Sequence, residues 1–80
     1  MRLQLFDRGT PQGKKLFSDL EIVTKRLQID YEPEFITDMS RLYTRGIQGK
    51  TILLINNEVA LVDKYPSLKE LETLVADYIE

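Results

Sequence analysis

The sequence predicts an α/β domain in the order β-α-β-α-β-β-α, and three observations carry that prediction. Leu16, Leu20, Val23 and Leu27 recur at spacings of four, three and four, which is the apolar stripe of one helix face. Thr51-Ile52-Leu53-Leu54-Ile55 is a continuous apolar run, as expected of a central strand covered on both sides, and Asn56-Asn57 directly after it signals a tight turn. Ser67 and Glu70 form a capping box just ahead of a last helix, whose buried face is Leu68, Leu71, Leu74, Val75, Tyr78 and Ile79.

The remaining elements fall between these anchors. Leu3-Gln4-Leu5-Phe6 reads as an opening strand, broken by Asp7-Arg8-Gly9. Thr10 then supplies a hydroxyl N-cap and Pro11 occupies the first helical position, where its missing N–H costs nothing. The helix they begin runs for about 17 residues. Gly13 in its first turn is unfavourable by about 1 kcal/mol relative to Ala, and a close approach to the backbone would account for it. Ile29, Tyr31, Pro33 and Phe35 alternate with Asp30, Glu32 and Glu34, which predicts a half-buried strand with Pro33 marking an edge or an irregularity. Thr37 or Asp38 caps a short helix through Met39, Leu42 and Tyr43, and Gly46 ends it in a left-handed cap. Val59 and Leu61 belong to the partner strand of the hairpin.

Eighty residues make a single domain, 1–80. A chain of this length buries only about 60% of the surface its unfolded form exposes, so a stability of roughly 5 kcal/mol is expected. There is no Cys, His or Trp. Disulfides, thiol nucleophiles, and Ser-His-Asp or Cys-His catalysis in their standard forms are therefore excluded. So are the usual His and Cys ligands of zinc and copper. No cofactor or metal is expected. No apolar run approaches a membrane span and the N-terminus does not read as a signal peptide, so a cytoplasmic protein without membrane association is the expectation. Residues 1–28 carry a net charge of +3 and residues 29–80 a net charge of −5. That asymmetry reads first as an ordinary solvated surface. Without a strong basic excess, no nucleic-acid partner is expected.

The order of elements resembles the thioredoxin and glutaredoxin core. Leu3-Gln4-Leu5-Phe6 with the Asp7-Arg8-Gly9-Thr10 loop is similar to the start of small glutaredoxin-like proteins. Leu27-Gln28-Ile29-Asp30-Tyr31-Glu32 and the hairpin Leu54-Ile55-Asn56-Asn57-Glu58 are similar to later parts of them. The nearest set is the small redox-active disulfide proteins of archaea and bacteria. The resemblance implies a four-stranded mixed sheet with helices on both faces, its first two strands parallel neighbours and the hairpin antiparallel. It also implies a Cys-x-x-Cys pair at the start of the first helix and a cis-Pro before the third strand. Thr10, Pro11, Gln12 and Gly13 stand at the first place and Thr51 at the second, after Gln48-Gly49-Lys50. A Thr hydroxyl cannot replace a thiolate, because a helix dipole is worth only about 1 kcal/mol. No thiol-disulfide enzyme is expected. Gly9-Thr10-Pro11 also resembles a stretch of the KaiB circadian clock family, thioredoxin-like proteins without the redox pair.

The expectation is therefore a non-catalytic thioredoxin-fold protein that binds a protein partner. Its partner face would comprise Arg8, Lys14, Gln48, Lys50 and Tyr65 beside Thr10 and Gly13, because loops at one end of a rigid scaffold commonly carry recognition. The alternative is a binder of small anions or thiol ligands that uses the helix start at residues 9–15, with Arg8, Lys14 or Lys15 beside free N–H groups. That segment is not a nucleotide phosphate loop: only three residues separate Gly9 from Gly13, and Lys15 stands where a hydroxyl is required. A homodimer through the edge at residues 31–35 is a further expectation. Asp30, Glu32 and Glu34 read as a solvated strand face, and most of the tyrosines as packing at the margin of the core.

Overall fold

A computed structural model describes residues 1–79. It contains β1 (Leu3–Asp7), α1 (Pro11–Arg26), β2 (Glu34–Ile36), α2 (Ser40–Thr44), β3 (Thr51–Ile55), β4 (Glu58–Val62) and α3 (Leu68–Ala76). The four strands form one mixed sheet in the order β2-β1-β3-β4. β1 runs parallel to β2, while β1–β3 and β3–β4 are antiparallel. None of the helices among these residues is long and apolar enough to cross a membrane.

The pleat of the two central strands sorts their side chains between two cores. Leu3, Leu5, Leu53 and Ile55 meet Leu16, Leu20 and Val23 of α1 and Leu71 and Val75 of α3. Phe6, Ile52 and Leu54 face the other way, against Met39 and Leu42. Three helices therefore cover two faces, and β1 and β3 are buried along their whole length. The Phe17 and Phe35 rings pack edge to face at 5.2 Å and tie α1 to β2.

Local signals fix several ends. Thr10 caps α1 with Pro11 at its first position. Asn56 and Asn57 both take positive φ, 52° and 68°, as a two-residue hairpin turn demands. Ser67 accepts the Glu70 N–H, and the Ser67 N–H donates to the Glu70 carboxylate at 2.9 Å. Ser67→Ala removes half of this box and is expected to cost about 1 kcal/mol, read as a lower urea midpoint at unchanged slope.

Some boundaries differ from the sequence expectations. β2 begins at Glu34 rather than Ile29. The cause lies at the end of α1, where Gln28 takes φ 56°. Its N–H bonds the Lys25 carbonyl, and the Ile29 N–H bonds the Thr24 carbonyl at 2.9 Å. This is a Schellman ending with Gln in the left-handed position, and it turns the chain away before a strand can start. Pro33 then offers no ladder donor. Of the three alternating acids only Glu34 lies in a strand, so they do not share a strand face. Asp7 does not break β1 but is its last, fully buried residue. α2 starts at Ser40, and Asp38 reaches it from outside by accepting the Ser40 N–H. Tyr31, Tyr43 and Tyr65 are exposed, so of the four tyrosines only Tyr78 packs against the core; Ile79 is exposed as well.

Candidate functional site

The end of β1 delivers a carboxylate into the first turn of α1. Asp7 Oδ2 accepts the N–H groups of Gly9 at 2.8 Å and Thr10 at 2.7 Å. Its Oδ1 accepts the Thr51 hydroxyl at 2.6 Å, and the Thr10 hydroxyl lies 3.0 Å from both oxygens. Thr10 Oγ1 accepts in turn from the Gly13 N–H, closing the helix start. A Cβ built on Gly13 would fall on the carboxyl group of Asp7, so this glycine leaves the space that the carboxylate fills.

The network continues to the surface. Thr51 Oγ1 lies 2.7 Å from Tyr65 Oη. The single Thr51 hydroxyl proton goes to the ionised Asp7, which only accepts, so Tyr65 is the donor of the outer bond. Asp63 holds the same segment from the other side, accepting the N–H groups of Lys50 at 2.7 Å and Thr51 at 2.9 Å. Burial pushes the Asp7 carboxyl up. The hydrogen bonds from Thr51, Gly9 and Thr10 outweigh it and hold the group below the usual carboxylate range. The bonds from Thr51 and Lys50 lower Asp63 likewise.

Of the residues marked out from sequence, Thr10, Gly13 and Thr51 are gathered around Asp7, and Tyr65 joins them through its bond to Thr51. Pro11, Gln12 and Lys14 lie exposed on the first turn of α1, and Gln48 and Lys50 lie exposed before β3. Arg8 turns away to α2, where its guanidinium donates to Tyr43 Oη at 3.2 Å. No protein-family model, curated protein or solved structure matches the chain. The arrangement of its own residues is therefore what bears on function.

The lone pairs of Asp7 are occupied and its charge is compensated by donors, so it is not placed to take a proton from a substrate. Beside the network a cavity of about 330 Å³ lies between α1 and the β4–α3 connection, lined by Gln12, Lys15, Leu16, Asp19, Tyr65 and Pro66 with Ser67 at its rim. Tyr65, 42% exposed as a residue, forms one wall while its hydroxyl is held by Thr51. Sequence reasoning passed over Asp7 and Asp63. For Asp7 the signal was present: an Asp two residues before Gly9 is an Asx-turn pattern, its side chain accepting from the N–H two residues on.

Proposed function

We propose that the chain is a thioredoxin-like scaffold without dithiol chemistry, and that it acts as a protein-interaction module through the end of the sheet where Thr10, Thr51 and Tyr65 meet. One observation carries this reading. The positions at which the resemblance implies a cysteine pair and a cis-Pro are joined by the Asp7 hydrogen bonds into one rigid unit. That unit fixes an exposed aromatic wall beside a cavity. A pre-organised aromatic side chain on a rigid frame is the kind of anchor that interfaces use, because little entropy remains to be lost on binding. The parallel β1–β2 pair and the antiparallel β3–β4 hairpin also support the thioredoxin-like reading.

The same bonds weigh against anion capture at the start of α1. The N–H groups of Gly9, Thr10 and Gly13 are already taken, two of them by the carboxylate of Asp7. An incoming anion would meet that buried negative charge. The test is a quantitative pull-down under reducing conditions, comparing the natural chain with Gln12→Ala, Lys50→Ala and Tyr65→Ala, each checked for an intact melting transition. Loss of partner recovery with Tyr65→Ala, by about tenfold or more, is expected for an anchor residue. Unchanged recovery with all three variants would remove this face from consideration. Dithiol-driven insulin reduction by the pure chain would overturn the non-catalytic reading.

A further inference from the structure

A separate cavity, on the opposite face of the sheet from α1 and α3, has the character of an anion site. It measures about 140 Å³ and lies among β1, α2 and the β3–β4 turn. Its apolar walls are Phe6, Leu42 and Leu54, all nearly inaccessible. Its polar lining is Arg2, Gln4, Arg41, Arg45 and Asn57. The chain has five arginines, and three of them converge here.

We propose that this cavity binds a phosphate dianion, either free or as the terminal group of a small monoester. Three features support it. The guanidiniums are pre-positioned: Arg41 stacks over the Phe6 ring at 5.6 Å, and Arg45 donates one N–H to the Asn57 carbonyl at 3.2 Å. Each guanidinium carries five donors in a planar fork that matches phosphate oxygens, so most donors stay available. Gln4 is 3% exposed, and its amide nitrogen is fixed on Glu34 at 3.2 Å, which adds a buried polar group to the lining. The charges also balance. Among the described residues, Arg2 is the one guanidinium of the three within ion-pair reach of a carboxylate, Glu34 at 3.8 Å. Asp38 feels the charge of Arg41, but its carboxylate is engaged by the Ser40 N–H and does not line the cavity. Glu34, itself outside the lining, compensates Arg2, while Arg41 and Arg45 have no ion-pair partner among the described residues, which leaves two positive charges for a dianion above apolar walls that strengthen the attraction. The volume admits a phosphoryl group and excludes a nucleotide lying within it. This site is independent of the Tyr65 face, and either can fail without the other.

The test is calorimetric titration of the full chain at low ionic strength with inorganic phosphate and, in a second arm, methyl phosphate. Binding in either arm is expected, and a preference for methyl phosphate would identify a carried phosphoryl group rather than the free ion. Arg41→Gln and Arg45→Gln should each weaken binding by about tenfold, and Arg41→Lys by less, because it keeps the charge and loses the fork. Glu34→Gln, which releases Arg2, should tighten it. Arg26→Gln serves as the control, since Arg26 pairs with Glu72 of α3. All these side chains are partly or largely exposed, so the variants are expected to fold. Absence of heat in both arms overturns the proposal, as does binding that Arg41→Gln and Arg45→Gln leave unchanged.

Discussion

Gly13→Ala is expected to destabilise the protein by about 3 kcal/mol, the combined effect of overpacking and of disturbing buried charged hydrogen bonds. In most helix interiors the same substitution stabilises, by roughly 0.5–1 kcal/mol, because Gly loses more backbone entropy on folding. Here the sign reverses, because the added methyl would occupy the place of the Asp7 carboxyl group. That group cannot step aside without giving up bonds from Gly9, Thr10 and Thr51. Against the roughly 5 kcal/mol expected for a domain of this size, the loss would leave about 2 kcal/mol, raising the unfolded population to a few per cent. Urea denaturation measures it, and a double-mutant cycle assigns the cause. In an Asp7→Ala background the obstruction is gone, so Gly13→Ala should become neutral or favourable there. A stabilising Gly13→Ala in the natural chain would show that the carboxylate is not held against this turn.

The contrast between two helix ends explains what was legible in the sequence. α1 and α2 both finish in a Schellman arrangement with a left-handed residue past the cap, Gln28 at φ 56° and Gly46 at φ 76°. Gly46 announces its ending, since only glycine takes that conformation without steric cost. Gln28 carries no such mark, and the alternating residues after it imitate a strand that the turn prevents. The interior strands were legible because continuous apolar runs leave little choice of environment, as at residues 51–55. The site was half legible. Thr10, Gly13, Thr51 and Tyr65 were marked out individually, yet what joins them is a charged residue at the end of an apolar strand. Composition places such a residue on the surface, and only the convergence of β1, β3 and the first turn of α1 supplies enough donors to bury it. Gly13 was the local trace of that arrangement: an unfavourable helix residue retained for the space it leaves. The arginine-lined cavity left no contiguous signal, because Arg2, just ahead of β1, and Arg41 of α2 lie far apart in the chain and share one cavity only through the fold.

Asp7→Asn tests which of two opposing effects governs the buried carboxyl. If desolvation prevailed, the neutral side chain would be the better fit and the substitution would stabilise the fold at neutral pH. The hydrogen bonds prevail instead and hold the folded-state pKa below its ordinary value. A carboxylate lowered in this way adds stability that is fully present above the unfolded pKa, near 3.9, and is lost as the pH falls through the folded value. Asp7→Asn keeps the shape and removes the charge, and it replaces one acceptor oxygen by a donor facing hydroxyls or N–H groups. A loss of about 2 kcal/mol is expected at pH 7, in the range for a hydrogen bond to a buried charge. Below about pH 4 the unfolded chain begins to take up this proton while the folded carboxyl does so only at lower pH, so the two stability curves should converge on acidification. The variant's curve keeps some slope of its own, because Asp38, Asp63 and Glu70 are lowered in the same direction by backbone N–H donors. Parallel curves from pH 7 down to pH 3 would mean that the charge of Asp7 plays no part in folding. Convergence would place an ionised carboxylate at the centre of the unit that holds Thr51 and, through it, the hydroxyl of Tyr65.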